Sequence, residues 1–145
     1  MASISKECRC VRKCMHEQDS IDSVSIIVEG VPDPAIRKNR QSTTHWDRYR
    51  AVKAAKDVAY LLWREQPLPE TPFEKARISV VQWFCGRGID AEGLASGVSP
   101  AVDSAVDIGI IPSDDPHKVI QGFELSYKRV PHKDQRQYKV TITRA

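Results

Sequence analysis

Residues 86–116, GRGIDAEGLASGVSPAVDSAVDIGIIPSDDP, constrain this chain more than any other stretch. The segment starts where one run of β-forming residues ends and stops just before another. Between them lies a weakly amphipathic helical pattern. Asp90 and Glu92 open the segment, and Asp114 with Asp115 close it. Carboxylates gathered at the end of a sheet suit a hard divalent ion. As Mg2+ such an ion takes few carboxylates and keeps water and substrate phosphate around it. Asp90 and Glu92 stand two positions apart, so an extended backbone would aim both to one side. Two solvated acidic loops would produce the same sequence.

The flanks read as follows. ARISVVQWF, residues 76–84, is rich in β-formers and reads as a central strand. Cys85 at its end reads as a small buried hydrophobe. Gly86 and Gly88 then permit close approach of another group. Leu94, Val98, Ala101, Val102, Ala105 and Val106 recur at helical spacing, with Gly97 and Pro100 as interruptions. Ser99-Pro100 looks like an N-cap and first helical position, so regular helix is expected from Ser99. Asp103 and Asp107 then fall on a solvated face, and Gly109 ends the helix. Residues 119–130 and 138–143 look like two strands. The linker PHKDQRQ between them suggests a hairpin with a basic tip.

Upstream, SVSIIVE at 23–29 reads as a strand ending at Gly30. VPDPAI follows, and its two prolines cannot continue a sheet interior. Ser42, Thr43 or Thr44 can cap the next element, a helix over residues 45–65. Its apolar face is Tyr49, Val52, Ala55, Ala59, Leu62 and Trp63. QPLPETP stops it with three prolines.

Charge is mixed, at a formal +3 for 145 residues, so its distribution carries more than its sum. Residues 37–56 hold seven bases (Arg37, Lys38, Arg40, Arg48, Arg50, Lys53, Lys56) against one acid, Asp47. That is a candidate phosphate-facing patch, and a solvated helix face would look similar. The length suits one domain, residues 23–145, after a flexible Cys-containing tail at 1–22. Cys8, Cys10, Cys14 and His16 in that tail invite a zinc reading. Their spacing, C-x-C-x3-C-x-H, is not one of the usual zinc-finger spacings. No apolar run is long enough to span a membrane, and the N-terminus lacks the apolar core of a signal peptide. A cytoplasmic protein with reduced thiols, with no membrane partner and no small-molecule cofactor, is expected.

The order strand, proline turn, basic helix, strand, acidic motif, helix, acidic loop and two strands resembles the RusA family of Holliday junction resolvases over residues 23–145. IDAEGLA occupies the place of the family's Asp-x-Asp-Asn-Leu motif, with Asp90 and Leu94 kept. Asp103 matches an acidic helix position, and Gly109 with Pro112 matches the turn. Asp114 sits where the second catalytic loop supplies an aspartate. Asp115, Pro116 and Val119, and the Thr44-His45-Trp46 helix start, look like phage-type members.

The resemblance implies an α+β fold in β-α-β-α-β-β order, with a small mixed sheet of about four strands and two main helices. It implies a homodimeric endonuclease that hydrolyses phosphodiesters in Holliday junctions or related branched DNA. Asp90, Glu92 and Asp114 would be catalytic and would hold Mg2+ (or Mn2+), with Asp115 as a further ligand or as an acceptor behind the ligands. Arg37, Lys38, Arg40, His45, Arg48 and Lys53 would bind DNA. Three departures stand out. Glu92 replaces an Asp, Gly93 replaces the Asn, and Ser99 stands at the family's Lys position. They leave open a degenerate protein that binds branched DNA without cutting it. A scaffold domain whose tail contacts a partner is a third reading.

Overall fold

The computed structural model describes residues 21–37 and 44–145. Its elements run β1 (Ser23–Glu29), α1 (His45–Arg64), β2 (Ala76–Phe84), α2 (Ala91–Ile108), β3 (Ile120–Arg129) and β4 (Gln137–Arg144). The result is a small α+β domain in β-α-β-α-β-β order, with a four-stranded mixed sheet and two helices.

The sheet order is β1-β4-β2-β3. β4 runs antiparallel to both β1 and β2, while β2 and β3 are parallel. Period-two burial gives the sheet its core face: Val24 and Ile26, then Ile78 and Val80, then Tyr138, Val140 and Ile142. Ala59 and Trp63 of α1 join this core, as do Leu94, Val98, Ala101 and Ala105 of α2. Ser25, Ser79, Val81, Lys139 and Thr141 alternate with those core positions and are only partly covered.

The expected hairpin does not form. β2 lies between β3 and β4. The local pattern explains this in hindsight. β4 buries every second residue and needs a neighbour on each side, whereas β3 is largely exposed and suits an edge. Crossing one strand spans roughly 10 Å. The linker covers that with a 3-10 turn, Lys133–Gln135. It is held by Val130 N–H donating to Phe84 O at 2.7 Å and Gly30 N–H donating to Arg136 O at 2.8 Å.

The second helix also differs from expectation. It starts at Ala91 rather than Ser99 and runs through Pro100. A proline in a helix interior costs about 3 kcal/mol. Burying Leu94 and Val98, each fully covered, returns about 1.5–3 kcal/mol apiece, so the longer helix wins. Gly97 is where the proline loop meets the helix. A Cβ there would stand 2.5 Å from Pro32 Cβ. The helix ends as expected at Gly109, at φ 93°, whose N–H reaches the Ala105 and Val106 carbonyls.

Trp63 Nε1–H donates to Ala101 O at 3.0 Å, and Ser104 Oγ–H donates to Lys56 O at 2.7 Å. These pairings make α1 and α2 antiparallel. They also carry the first two turns of α1 beyond the C-terminal end of α2, and residues 44–50 are all exposed. Among the described residues no helix is long and apolar enough to cross a membrane.

Candidate functional site

The first acidic motif sits at the start of α2. Asp90 is its N-cap, and Asp90 Oδ1 accepts from Gly93 N–H at 2.8 Å. Glu92 lies in the first turn. Both acids complement the positive end of the helix. They are therefore a cap and a first-turn acid, not two carboxylates on an extended strand. Gly93 follows from the cap. A Cβ there would lie 2.5 Å from Asp90 Oδ1 and 2.9 Å from Ile89 Cγ2, so a larger residue would push the capping carboxylate aside. Burial and, after it, the nearby Asp90 charge raise the Tyr127 phenol.

Arg37 packs against the same half of α2. Its Cδ and Cγ come within 3.7 Å of where Cβ atoms of Gly93 and Gly97 would be. Its Nε is buried, and so are both amide atoms of Gln82. Among the described residues these atoms find no hydrogen-bond partner. Arg37 is half-buried along the helix.

The second acidic loop lies at the other end of α2. Asp114 meets Asp103, close enough for the two carboxyls to share a hydrogen bond when one of them is protonated. Burial, then the Asp114 charge, pushes the Asp103 carboxyl above the ordinary aspartate range, while Lys56 opposes the rise. Ser99, Asp103 and Asp114 line a small cleft of about 220 Å³, otherwise walled by apolar residues such as Ile78, Ile120 and Phe123. Asp115 points its carboxylate at its own turn. Its Oδ1 accepts from His117 N–H at 2.8 Å and Lys118 N–H at 3.3 Å.

The two motifs are thus held at opposite ends of one helix. Asp90 and Asp103 are thirteen residues apart, which is about 20 Å of helix rise. Among the described residues no group of three or more His, Cys, Asp or Glu could hold a metal ion. The expected donor set of Asp90, Glu92, Asp114 and Asp115 does not fit a Mg2+ cage in this arrangement. Sequence reasoning placed Asp103 on a solvated face and missed its contact with Asp114. The available signal was the four-residue step from Ser99 to Asp103, which turns both toward one cleft.

The basic helix start is arranged differently. Thr44 caps α1, its Oγ1 accepting from Asp47 N–H at 3.2 Å. His45, Arg48 and Lys53 are exposed on α1. Arg50 pairs with Asp47 at 3.9 Å and Lys56 with Asp107 at 3.5 Å. Trp46 and Tyr49 stand in the same projecting turns at 67% and 57% exposure, so two large rings face solvent beside the cations. Lys38 and Arg40, like Cys8, Cys10, Cys14 and His16, lie outside the described residues.

No family model matches the chain, and no curated protein matches it. One solved structure that it is similar to is CetZ2 from Haloferax volcanii, a GTPgS-bound protofilament. The identity is 13% and the TM-score 0.31. The match covers 83% of this chain and 28% of that one, so the chain spans under a third of that protein's length.

Proposed function

We propose that this chain is a RusA-like protein that binds branched DNA, acting as a homodimer on a two-fold substrate. The observation that carries the reading is the projecting start of α1, where His45, Arg48 and Lys53 stand exposed beside Trp46 and Tyr49. Cations there meet phosphates and set position on the duplex without reading bases. Lys38 and Arg40 stand seven and five residues before His45 and belong to the same basic run in sequence. The β-α-β-α-β-β element order is the one that the resemblance implies.

The cutting enzyme is the second reading, a Mg2+- or Mn2+-dependent endonuclease that resolves Holliday junctions. One observation favours it. Asp103 and Asp114 already face each other in a cleft that Ser99, at the family's Lys position, also lines. A two-carboxylate site completed by substrate phosphate is a known way to hold Mg2+. Binding is the reading supported better, because Asp90 is engaged as a helix cap and Asp115 as a turn acceptor.

Incubating an end-labelled four-way junction with the protein in EDTA, Mg2+ or Mn2+ separates the two. Retarded but intact junction in all three supports the binder. Symmetric nicks that need metal and vanish in Asp114→Asn support the nuclease. Light scattering of the free protein reads the dimer.

A further inference from the structure

Trp46, Tyr49, Lys53, Lys56 and Tyr60 follow one another along α1 at steps of three, four, three and four residues. That spacing lays them on one face of the helix. The three rings are 67%, 57% and 37% exposed. Tyr49, Lys53, Lys56 and Tyr60 line a groove of about 380 Å³ with Val52 and Asp57, against Ser104 and Asp107 of α2, and Lys56 pairs with Asp107 across it at 3.5 Å. Trp46 continues the line, its ring meeting Tyr49 edge-on with centroids 6.4 Å apart.

The order ring, ring, cation, cation, ring selects among occupants. A second protein helix laid here would strip water from the Lys53 ammonium and from the Lys56–Asp107 pair in the middle of its contact, which is costly. A strand of unpaired nucleotides avoids that cost. Its phosphate matches the Lys53 ammonium, and its bases stack on exposed rings whatever their sequence. The helix as a whole carries five Lys or Arg against Asp47 and Asp57, a sign that suits a polyanion. The stripe spans about 21 Å of helix rise, enough for a few nucleotides.

We infer that this stripe is a platform for unpaired nucleotides, with bases stacked on Trp46, Tyr49 and Tyr60 and phosphate at Lys53. The inference rests on the DNA reading above and gives it a second contact, aimed at the melted bases of a branch point.

The test uses the full chain and two probes, a fluorescein-labelled oligothymidylate of about 12 nucleotides and a fully paired four-way junction. Trp46→Ala and Tyr49→Ala should each weaken oligothymidylate binding about tenfold or more. Tyr49→Phe should restore it, because the ring remains, and Val58→Ala, an exposed apolar position off the stripe, should leave it unchanged. All three positions are exposed, so equal melting temperatures should confirm that folding is intact. Wild-type affinity retained in Trp46→Ala would overturn the platform. So would a Trp46→Ala variant that dissociates a dimer yet binds the oligothymidylate normally, which would make the stripe a protein contact. A wild type that binds the junction but not the oligothymidylate removes this inference alone, and one that binds neither removes the DNA reading with it.

Discussion

Asp90 shows how one carboxylate carries two meanings. In the sequence it opens an acidic motif, and in the structure it caps α2 through Gly93 N–H. A cap accepts serine in place of aspartate, whereas a metal ligand does not tolerate that exchange. Asp90→Ala should lose about 1 kcal/mol in urea unfolding, and Asp90→Ser should stay near wild type. A serine variant that is as stable as wild type yet loses metal-dependent cleavage would show that Asp90 does more than cap.

Asp103 gives a pH prediction at the same scale. Its carboxyl is raised by burial and then by Asp114, so it holds a proton more tightly folded than unfolded. Its contribution is full below the unfolded value, about 4, and is lost as pH rises through the higher folded value. Asp103→Asn, neutral throughout, should match wild type in acid and unfold at higher urea near neutrality. A variant less stable than wild type near neutrality would mean that the charged pair is an asset. Sequence showed both acids clearly. It could not show that Asp103 meets Asp114, because that contact depends on how the loop after α2 folds back.

At the scale of elements, the strands were legible from β-branched runs, and α1 from its apolar face and the prolines that stop it. The start of α2 was not. Gly97 and Pro100 read as interruptions, yet Gly97, like Gly93, is there for close approach and the proline is carried by burial. This makes Gly97 informative. Alanine would gain about 1 kcal/mol of helix propensity. It would also place a Cβ 2.5 Å from Pro32 Cβ and 3.0 Å from its Cγ, where overpacking costs about 1–3 kcal/mol. Gly97→Ala should therefore lower the urea midpoint, and a raised midpoint would mean that the proline loop moves aside at little cost. The position of β4 was equally hidden. Strand order is set by which strands can afford an exposed edge, and nearest-neighbour patterning favoured a hairpin that the sheet does not use.

At the scale of the molecule, the two acidic loops and the basic helix occupy different places. α2 separates Asp90 from the Asp103–Asp114 pair, and α1 carries its cations and rings past the end of α2. On the proposed reading, a protein built this way would hold DNA by charge and stacking. Affinity for any DNA should then fall steeply as salt rises, by the number of phosphates neutralised.

The most direct measurement is competition binding of the purified chain to a labelled four-way junction in EDTA, against unlabelled linear duplex of the same sequence, at two salt concentrations. The account predicts a retarded junction complex that excess linear duplex fails to displace, that weakens with salt, and that His45→Ala combined with Arg48→Ala and Lys53→Ala loses. Equal displacement by linear duplex, or a complex indifferent to both salt and the triple variant, would contradict it.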